Sequence, residues 1–338
     1  MEIEIDGGHG EGGGQMVRTA VGLACALGRD VAIRNIRKGR SKPGLRAQHL
    51  AGIELAAEMC DAEVSGLEIG STEVRFRPTS NTGGRFEIDV GTAGSVSLVL
   101  QTCLIPALAA KGATELRIRG GTDVPWSPPI DYVRMVMSPL LQLMGADVDI
   151  SVEQRGFYPE GGGEITAMVS PCGLRGLDLS SRGNLRAIEG SIACRNLPEH
   201  VVERARDAAV KGLRGDRSAT FSVDAAKGPS TGLSLVLAAR FDGSVIGASC
   251  LGEKGLPAER VGEIAAQDLV DEIDSGAAID PHAADQIIPF MFLAEGSSRF
   301  TTSELTLHAR TNLHVAGSFL RREVATEESG GLVRVSIS

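Results

Sequence analysis

The chain has 338 residues and a formal net charge of −9, room for one large or two ordinary domains around a sizeable core. That acidic balance excludes a generally basic, nucleic-acid-coating surface, while leaving space for a local basic site. No apolar run reaches the roughly 18 to 20 residues of a membrane helix, and the acidic start "MEIEIDGG" is unlike a signal peptide, so a cytoplasmic protein without a membrane partner is expected.

The alternating run Glu2–Ile5 predicts a first strand, since period-two alternation marks a half-buried strand. The loop "DGGHGEGGGQMVR" follows, and Gly8, Gly10 and Gly13 satisfy G-x-G-x-x-G. A dinucleotide site would also need an acid at the end of the second strand. Here Val31–Ile36 runs instead into Arg37, Lys38 and Arg40, and no Gly-Lys-Ser/Thr follows to make a P-loop. Two readings stay open. The loop is an anion-facing helix start whose Glu11 holds a divalent cation shared with a phosphate, or a tight turn with a solvated glutamate.

The predicted helix Gln15–Leu27 comes next, and then "RNIRKGRSKPGLR", with six cations (Arg34, Arg37, Lys38, Arg40, Lys42, Arg46) and no acid. Arginine forks suit phosphate, so a polyphosphate or a nucleic-acid backbone is the natural partner. With few aromatics interleaved, extended base stacking is not expected; recognition of one end fits better. Further helices are predicted at Arg46–Cys60, Ser95–Ala110 and Ile130–Met144. Strands are predicted at Glu73–Arg77, Arg85–Val90, Glu115–Arg119, Asp147–Val152 and Gly163–Val169. "PGLRAQHLAGIELAAEMCDAEV" and "PPIDYVRMVMSPLLQLMGADVDI" share a layout, with Ala62-Glu63-Val64 recurring as Ala146-Asp147-Val148. Each unit reads βαβαββ, and stacked copies cover one another's apolar faces.

"GFYPEGGGE" reads as a turn with a packed aromatic, and "GGEITAMVSP" as the start of a third unit. That unit is interrupted by a stretch of different periodicity. The expected division is a repeat-built domain, residues 1–184 and 279–338, with an inserted α/β domain, 185–278. Six scattered cysteines with no C-x-x-C pair read as buried free thiols rather than a zinc or disulfide framework. Past the insertion, His282, Asp285 and Gln286 open a helix, where H-x-x-D is either a shared face or a cap. His308 and His314 sit near the start of a later helix. Six residues apart, they fall on different faces, which excludes a paired metal site. A histidine at a helix start is either structural or a neutral nucleophile.

Together, "DGGHGEGGGQMVRTA", "IRKGRSKPGLRAQHL", "GTAGSVSLVLQT", "GGTDVPWSPPIDYVR", "GFYPEGGGE", "ADQIIPF" and "HARTNLHV" resemble the RNA 3′-terminal phosphate cyclase family, in family order along the whole chain. The resemblance implies an α/β fold of three stacked βαβαββ repeats, each like the C-terminal domain of translation initiation factor 3, with a smaller inserted α/β domain. It implies ATP-dependent conversion of an RNA 3′-phosphate into a 2′,3′-cyclic phosphodiester, through histidine–AMP and RNA-adenylate intermediates. By the same resemblance His308 is the nucleophile and Glu11 the ligand of Mg2+ or Mn2+. Arg18, Arg37, Arg40 and Gln48 meet substrate phosphates; Gln101, Pro128, His282, Ala283, Ala284, Asp285 and Gln286 meet ATP. His282 departs from the aromatic common in the family, which leaves nucleotide preference open. RNA ending in a 3′-phosphate is the expected partner, and no obligate protein partner is indicated. Rival expectations are an enolpyruvyl transferase built on related repeats, a ribosome-assembly relative lacking the nucleophile, and a simple RNA-end binding module.

Overall fold

The computed structural model describes residues 2–214 and 217–338; Met1, Gly215 and Asp216 lie outside the described residues. The first unit runs β1 (Ile3–Asp6), α1 (Gln15–Leu27), β2 (Val31–Arg34), α2 (Ala47–Cys60), β3 (Glu63–Ser65) and β4 (Val74–Arg77). Its sheet has the order β1-β2-β4-β3, with β1 parallel to β2 and the other pairs antiparallel. The second unit is β5 (Gly84–Asp89), α3 (Val96–Leu108), β6 (Thr114–Gly120), a composite helix, β7 (Asp147–Gln154) and β8 (Gly163–Ser170). The composite helix joins α4 (Ile130–Tyr132) through a π-helical turn, Val133–Met137, to α5 (Ser138–Leu143). Its sheet order, β5-β6-β8-β7, repeats that of the first unit.

The third unit opens with the two-residue strand β9 (Asp178–Leu179). The insertion follows as β10 (Leu185–Arg195), α6 (Glu199–Gly212), β11 (Ala219–Ala226), β12 (Gly232–Phe241), β13 (Val245–Leu251) and α7 (Ala258–Ser275). The unit then resumes with α8 (Pro281–Leu293), β14 (Ser298–Thr302), α9 (Leu307–Phe319), β15 (Val324–Ser329) and β16 (Leu332–Ile337). Strand order β9-β14-β16-β15 completes the third copy of one topology.

One sequence expectation is corrected. Gly163–Val169 does not begin the third unit; it lies in β8, paired antiparallel with both β6 and β7. The alternation of a first strand and a closing strand is the same, so pattern alone cannot tell them apart. Strand β13 was absent from the expected set.

One core runs through the three units, and α3 lies at its middle with only Gln101 not buried. A helix apolar all round is a buried one. Close approach to it is possible because Gly22 of α1 and Gly52 of α2 face Thr102: an added Cβ would lie 2.9 Å from its carbonyl oxygen and 3.0 Å from its hydroxyl, respectively. The insertion has a separate core, where α6 and α7 cover one face of its sheet. Buried Arg155 links the two, pairing with Asp131 at 2.8 Å and with Asp224 of β11 at 3.0 Å.

Candidate functional site

Three elements far apart in sequence converge where α1 and α9 begin. His308 lies in the first turn of α9, whose N-cap Thr306 accepts the Ala309 N–H at 3.0 Å. Its Nδ1 sits 3.5 Å from Glu11 Oε2. Both atoms are buried, and neither has a hydrogen-bond partner among the described residues. The other carboxylate oxygen of Glu11 pairs with Arg40. Burial holds the His308 imidazole below its ordinary value, and Arg18, Arg40 and His282 push the same way. The neutral form is therefore favoured, and with Nδ1 enclosed, Nε2 is the nitrogen open to a reactant.

The glycines of the first loop make room for these side chains. A Cβ on Gly13 would lie 2.0 Å from Glu11 Oε2, one on Gly14 2.1 Å from His49 Nε2, and one on Gly10 2.7 Å from the Thr311 hydroxyl. Thr311 of α9 in turn accepts the Glu11 N–H at 3.4 Å. No side chain caps the N-terminus of α1, which leaves a helix start suited to an anion.

Arg18, one turn into α1, is pushed down to about 10 by burial, with Asp285 opposing; it remains charged at neutral pH. Burial pushes Asp285 well up, Asp280 adds to this, and Arg18 opposes it. Buried Asn312 joins α1, α8 and α9, accepting from the Thr19 hydroxyl at 2.7 Å and donating to the Asp285 carbonyl at 2.6 Å. Asp280 caps α8 by accepting the N–H groups of His282 and Ala283 and the Tyr132 hydroxyl.

The other expected residues divide into three sets. Gln101 donates to Gln286 at 2.7 Å, and Gln286 donates to the His282 carbonyl at 2.9 Å, so α3 and α8 meet there. One turn before Gln101, Ser97 donates to the Pro128 carbonyl at 2.7 Å. Arg37, at φ +54°, donates to the carbonyls of Lys42 and Gly44 and so shapes its own basic loop. Gln48 accepts the Ser95 N–H at 3.3 Å, at the start of α3. Ala283 and Ala284 are fully buried, which leaves His282 and Gln286 as the accessible side chains of that run.

Sequence reasoning missed His49. It is buried on α2, and its Nδ1 accepts the Arg46 N–H at 3.0 Å, so its proton belongs on Nε2 facing Gly14. Burial pushes it down to about 3, aided by Arg18, Arg37 and Arg46. The only signal in the sequence was a histidine three residues past the basic run that leads into α2. His314 belongs elsewhere, stacked on His9 with ring centroids 3.9 Å apart. In "GFYPEGGGE" the packed aromatic is Phe157; Tyr158 is exposed.

Among the described residues, no cluster of three or more metal-ligating side chains occurs. A cation here would take one carboxylate from the protein and its other ligands from phosphate and water. The orphaned Glu11 Oε2 fits that arrangement. Among the described residues no helix is long and apolar enough to cross a membrane.

Comparison with known proteins gives a consistent result. The profile described as RNA 3′-terminal phosphate cyclase matches residues 9–326. Proteins of that name are 47% identical in Archaeoglobus fulgidus (96% of this chain, 98% of the relative) and 45% identical in Methanosarcina barkeri (99% and 100%). Another in Pyrobaculum aerophilum is 43% identical (100% and 98%). A solved structure, the enolpyruvyl transferase NikO from Streptomyces tendae, overlaps at TM-score 0.22 and 11% identity, over 99% of this chain and 81% of that one. At that score it bears on neither fold nor function. A profile spanning nearly the whole chain and relatives matched end to end lead to one conclusion: this chain belongs to the RNA 3′-terminal phosphate cyclase family.

Proposed function

We propose that this enzyme converts an RNA 3′-terminal phosphate into a 2′,3′-cyclic phosphodiester at the expense of ATP, with His308 as the covalent carrier of AMP. The observation that carries the reading is the neutral, half-buried His308, with its enclosed Nδ1 beside Glu11 and Arg18 and Arg40 close by. A neutral imidazole with one nitrogen turned to a carboxylate offers the lone pair of the other to phosphorus.

In the proposed sequence Nε2 of His308 attacks the α-phosphorus of ATP, the bond to the β-phosphate oxygen breaks, and pyrophosphate leaves. A 3′-phosphate oxygen of the RNA then attacks the same phosphorus and displaces His308, giving an RNA 3′-pyrophosphoryl-adenosine end. The adjacent 2′-hydroxyl attacks the 3′-phosphorus, AMP leaves with the bridging oxygen, and the hydroxyl proton passes to solvent or a nearby base. Arg18 offsets the charge that moves between phosphates. Arg40 does the same once it is released from Glu11. Glu11 would hold Mg2+ or Mn2+, which when bound offsets triphosphate charge and makes pyrophosphate a better leaving group. His282, Gln286, Gln101 and Pro128 line the side where α3 meets α8, and they are the proposed adenosine contacts. Arg37 and Gln48 support the basic loop and the start of α3 from which RNA phosphate is met.

The test is incubation with ATP labelled at the α-phosphate and a divalent cation, followed by denaturation. An acid-labile, alkali-stable label on the chain, absent in His308→Ala, is expected. Absence of label on folded wild-type protein overturns the mechanism and leaves the enolpyruvyl-transfer and binding-module alternatives standing.

A further inference from the structure

The sequence contains one tryptophan and two tyrosines. Tyr132 is buried in the core, whereas Trp126 is 96% exposed and Tyr158 is 63% exposed. Trp126 also has φ +60°, a left-handed conformation that a bulky residue rarely adopts. Strain and a bare indole are both unfavourable for the folded chain alone.

The two aromatics stand on loops that are fastened to each other. Asp123 pairs in parallel with Phe157, and the Asp123 N–H donates to the Gly156 carbonyl at 3.2 Å. Phe157 is buried and its N–H donates to Ser230 of the insertion at 2.7 Å. Both loops therefore have rigid roots with one aromatic projecting from each. Their position matters as well. Trp126 is two residues from Pro128, roughly 7 Å of chain at most, and Pro128 is tied to α3 one turn from Gln101. Tyr158 stands three residues before Gly161, which packs against Ala93 just ahead of α3, so both aromatic loops border the start of α3.

We infer that Trp126 and Tyr158 form a stacking platform for the last bases of a single-stranded RNA whose 3′-phosphate enters the site. The inference rests on the proposed reaction. Base–aromatic stacking tolerates any base, which suits an enzyme whose chemistry needs only the terminal phosphate and its neighbouring hydroxyl. Exposed rings fit a base attached to an entering end better than the adenine of ATP, which must accompany its α-phosphate to His308.

Because Trp126 is the chain's single tryptophan, intrinsic fluorescence reports on this platform directly. A trinucleotide with a 3′-phosphate, titrated into the intact protein without ATP, should quench the emission saturably, and inorganic phosphate should not. Tyr158→Ala should weaken that binding about tenfold. Trp126→Gly suits the backbone conformation and should keep its thermal stability while raising KM for RNA about tenfold or more. Unchanged emission, quenching by ATP equal to that by RNA, or an unchanged KM in Trp126→Gly overturns the platform. Label transfer to the wild-type chain, measured alongside, shows whether the proposed reaction or only the platform has failed.

Discussion

The first two units share one strand order, yet the loops that follow their first strands have opposite characters. In the first unit three of the cleared spaces are filled by polar side chains: Gly10 by Thr311, Gly13 by Glu11, and Gly14 by His49. In the second unit, Gly94 faces the Val90 side chain instead. The loop thus makes room for polar side chains of the candidate site in one copy and for an apolar side chain in the other. Glycine marks the tight approach in both, and only the neighbours reveal which purpose it serves.

The sharpest way to break that comparison is to add one methyl group to each loop. Gly13→Ala places a carbon against Glu11 and should lower formation of the labelled adduct about 100-fold, with little change in melting temperature. Gly94→Ala crowds Val90 at 2.6 Å and should show the reverse pattern, a loss of about 1 to 3 kcal/mol in urea unfolding with adduct formation kept. If the two variants behave alike, the loops do not differ in purpose.

Asn312→Ala tests whether the polar character depends on the third unit. It leaves the Thr19 hydroxyl and the Asp285 carbonyl without their partner, and buried groups in that state cost about 1 to 3 kcal/mol. Both stability in denaturant and adduct formation should fall. A loss confined to stability would make the α1–α8–α9 junction purely structural.

His49 sharpens the contrast through pH. Its folded value of about 3 lies below the ordinary 6.5, so the unfolded chain binds the extra proton. Stability present above pH 6.5 is therefore lost as pH falls towards 3. At about 1.4 kcal/mol per unit, acidification from pH 6.5 to 5 should cost the wild type about 2 kcal/mol through this group. His49→Gln can still accept from Arg46, and urea unfolding at both pH values should show that loss removed. An equal loss in both proteins would mean that His49 is protonated in the fold.

The repeats were legible because alternation of two and a helical period of three to four are local: the predicted Gln15–Leu27 coincides with α1. The start of the third unit was not legible, since β9 has only two residues and carries no alternation. Strand β13 was missed because "VIGASCL" mixes apolar and small residues without a period. In the site, Glu11, Arg40 and His308 were each singled out, and the structure brings them together. The neighbours that fix their geometry were not, because Thr311 meets Glu11 across 300 residues of sequence. The packed aromatic expected in "GFYPEGGGE" is Phe157, whereas nothing in the pattern told it apart from its exposed neighbour Tyr158.

The smallest effect concerns the outer edge of the same loop. His9 stacks on His314 with the rings 19° from parallel, and burial and His9 lower the His314 value while Asp6 opposes. Stacked imidazoles attract while neutral, and an exposed pair of this kind contributes about 0.5 kcal/mol. His314→Ala should therefore lower stability by about that amount at pH 8. As pH falls below the ordinary histidine value and His314 takes up a proton, the difference between the proteins should shrink in thermal melts. Adduct formation should barely change, because the polar partners of Glu11 and His308 are each other and Arg40, not these rings. A loss as large as that of Gly13→Ala would mean that the loop acts as one rigid body, and that its polar neighbours matter for holding it still more than for the carboxylate they surround.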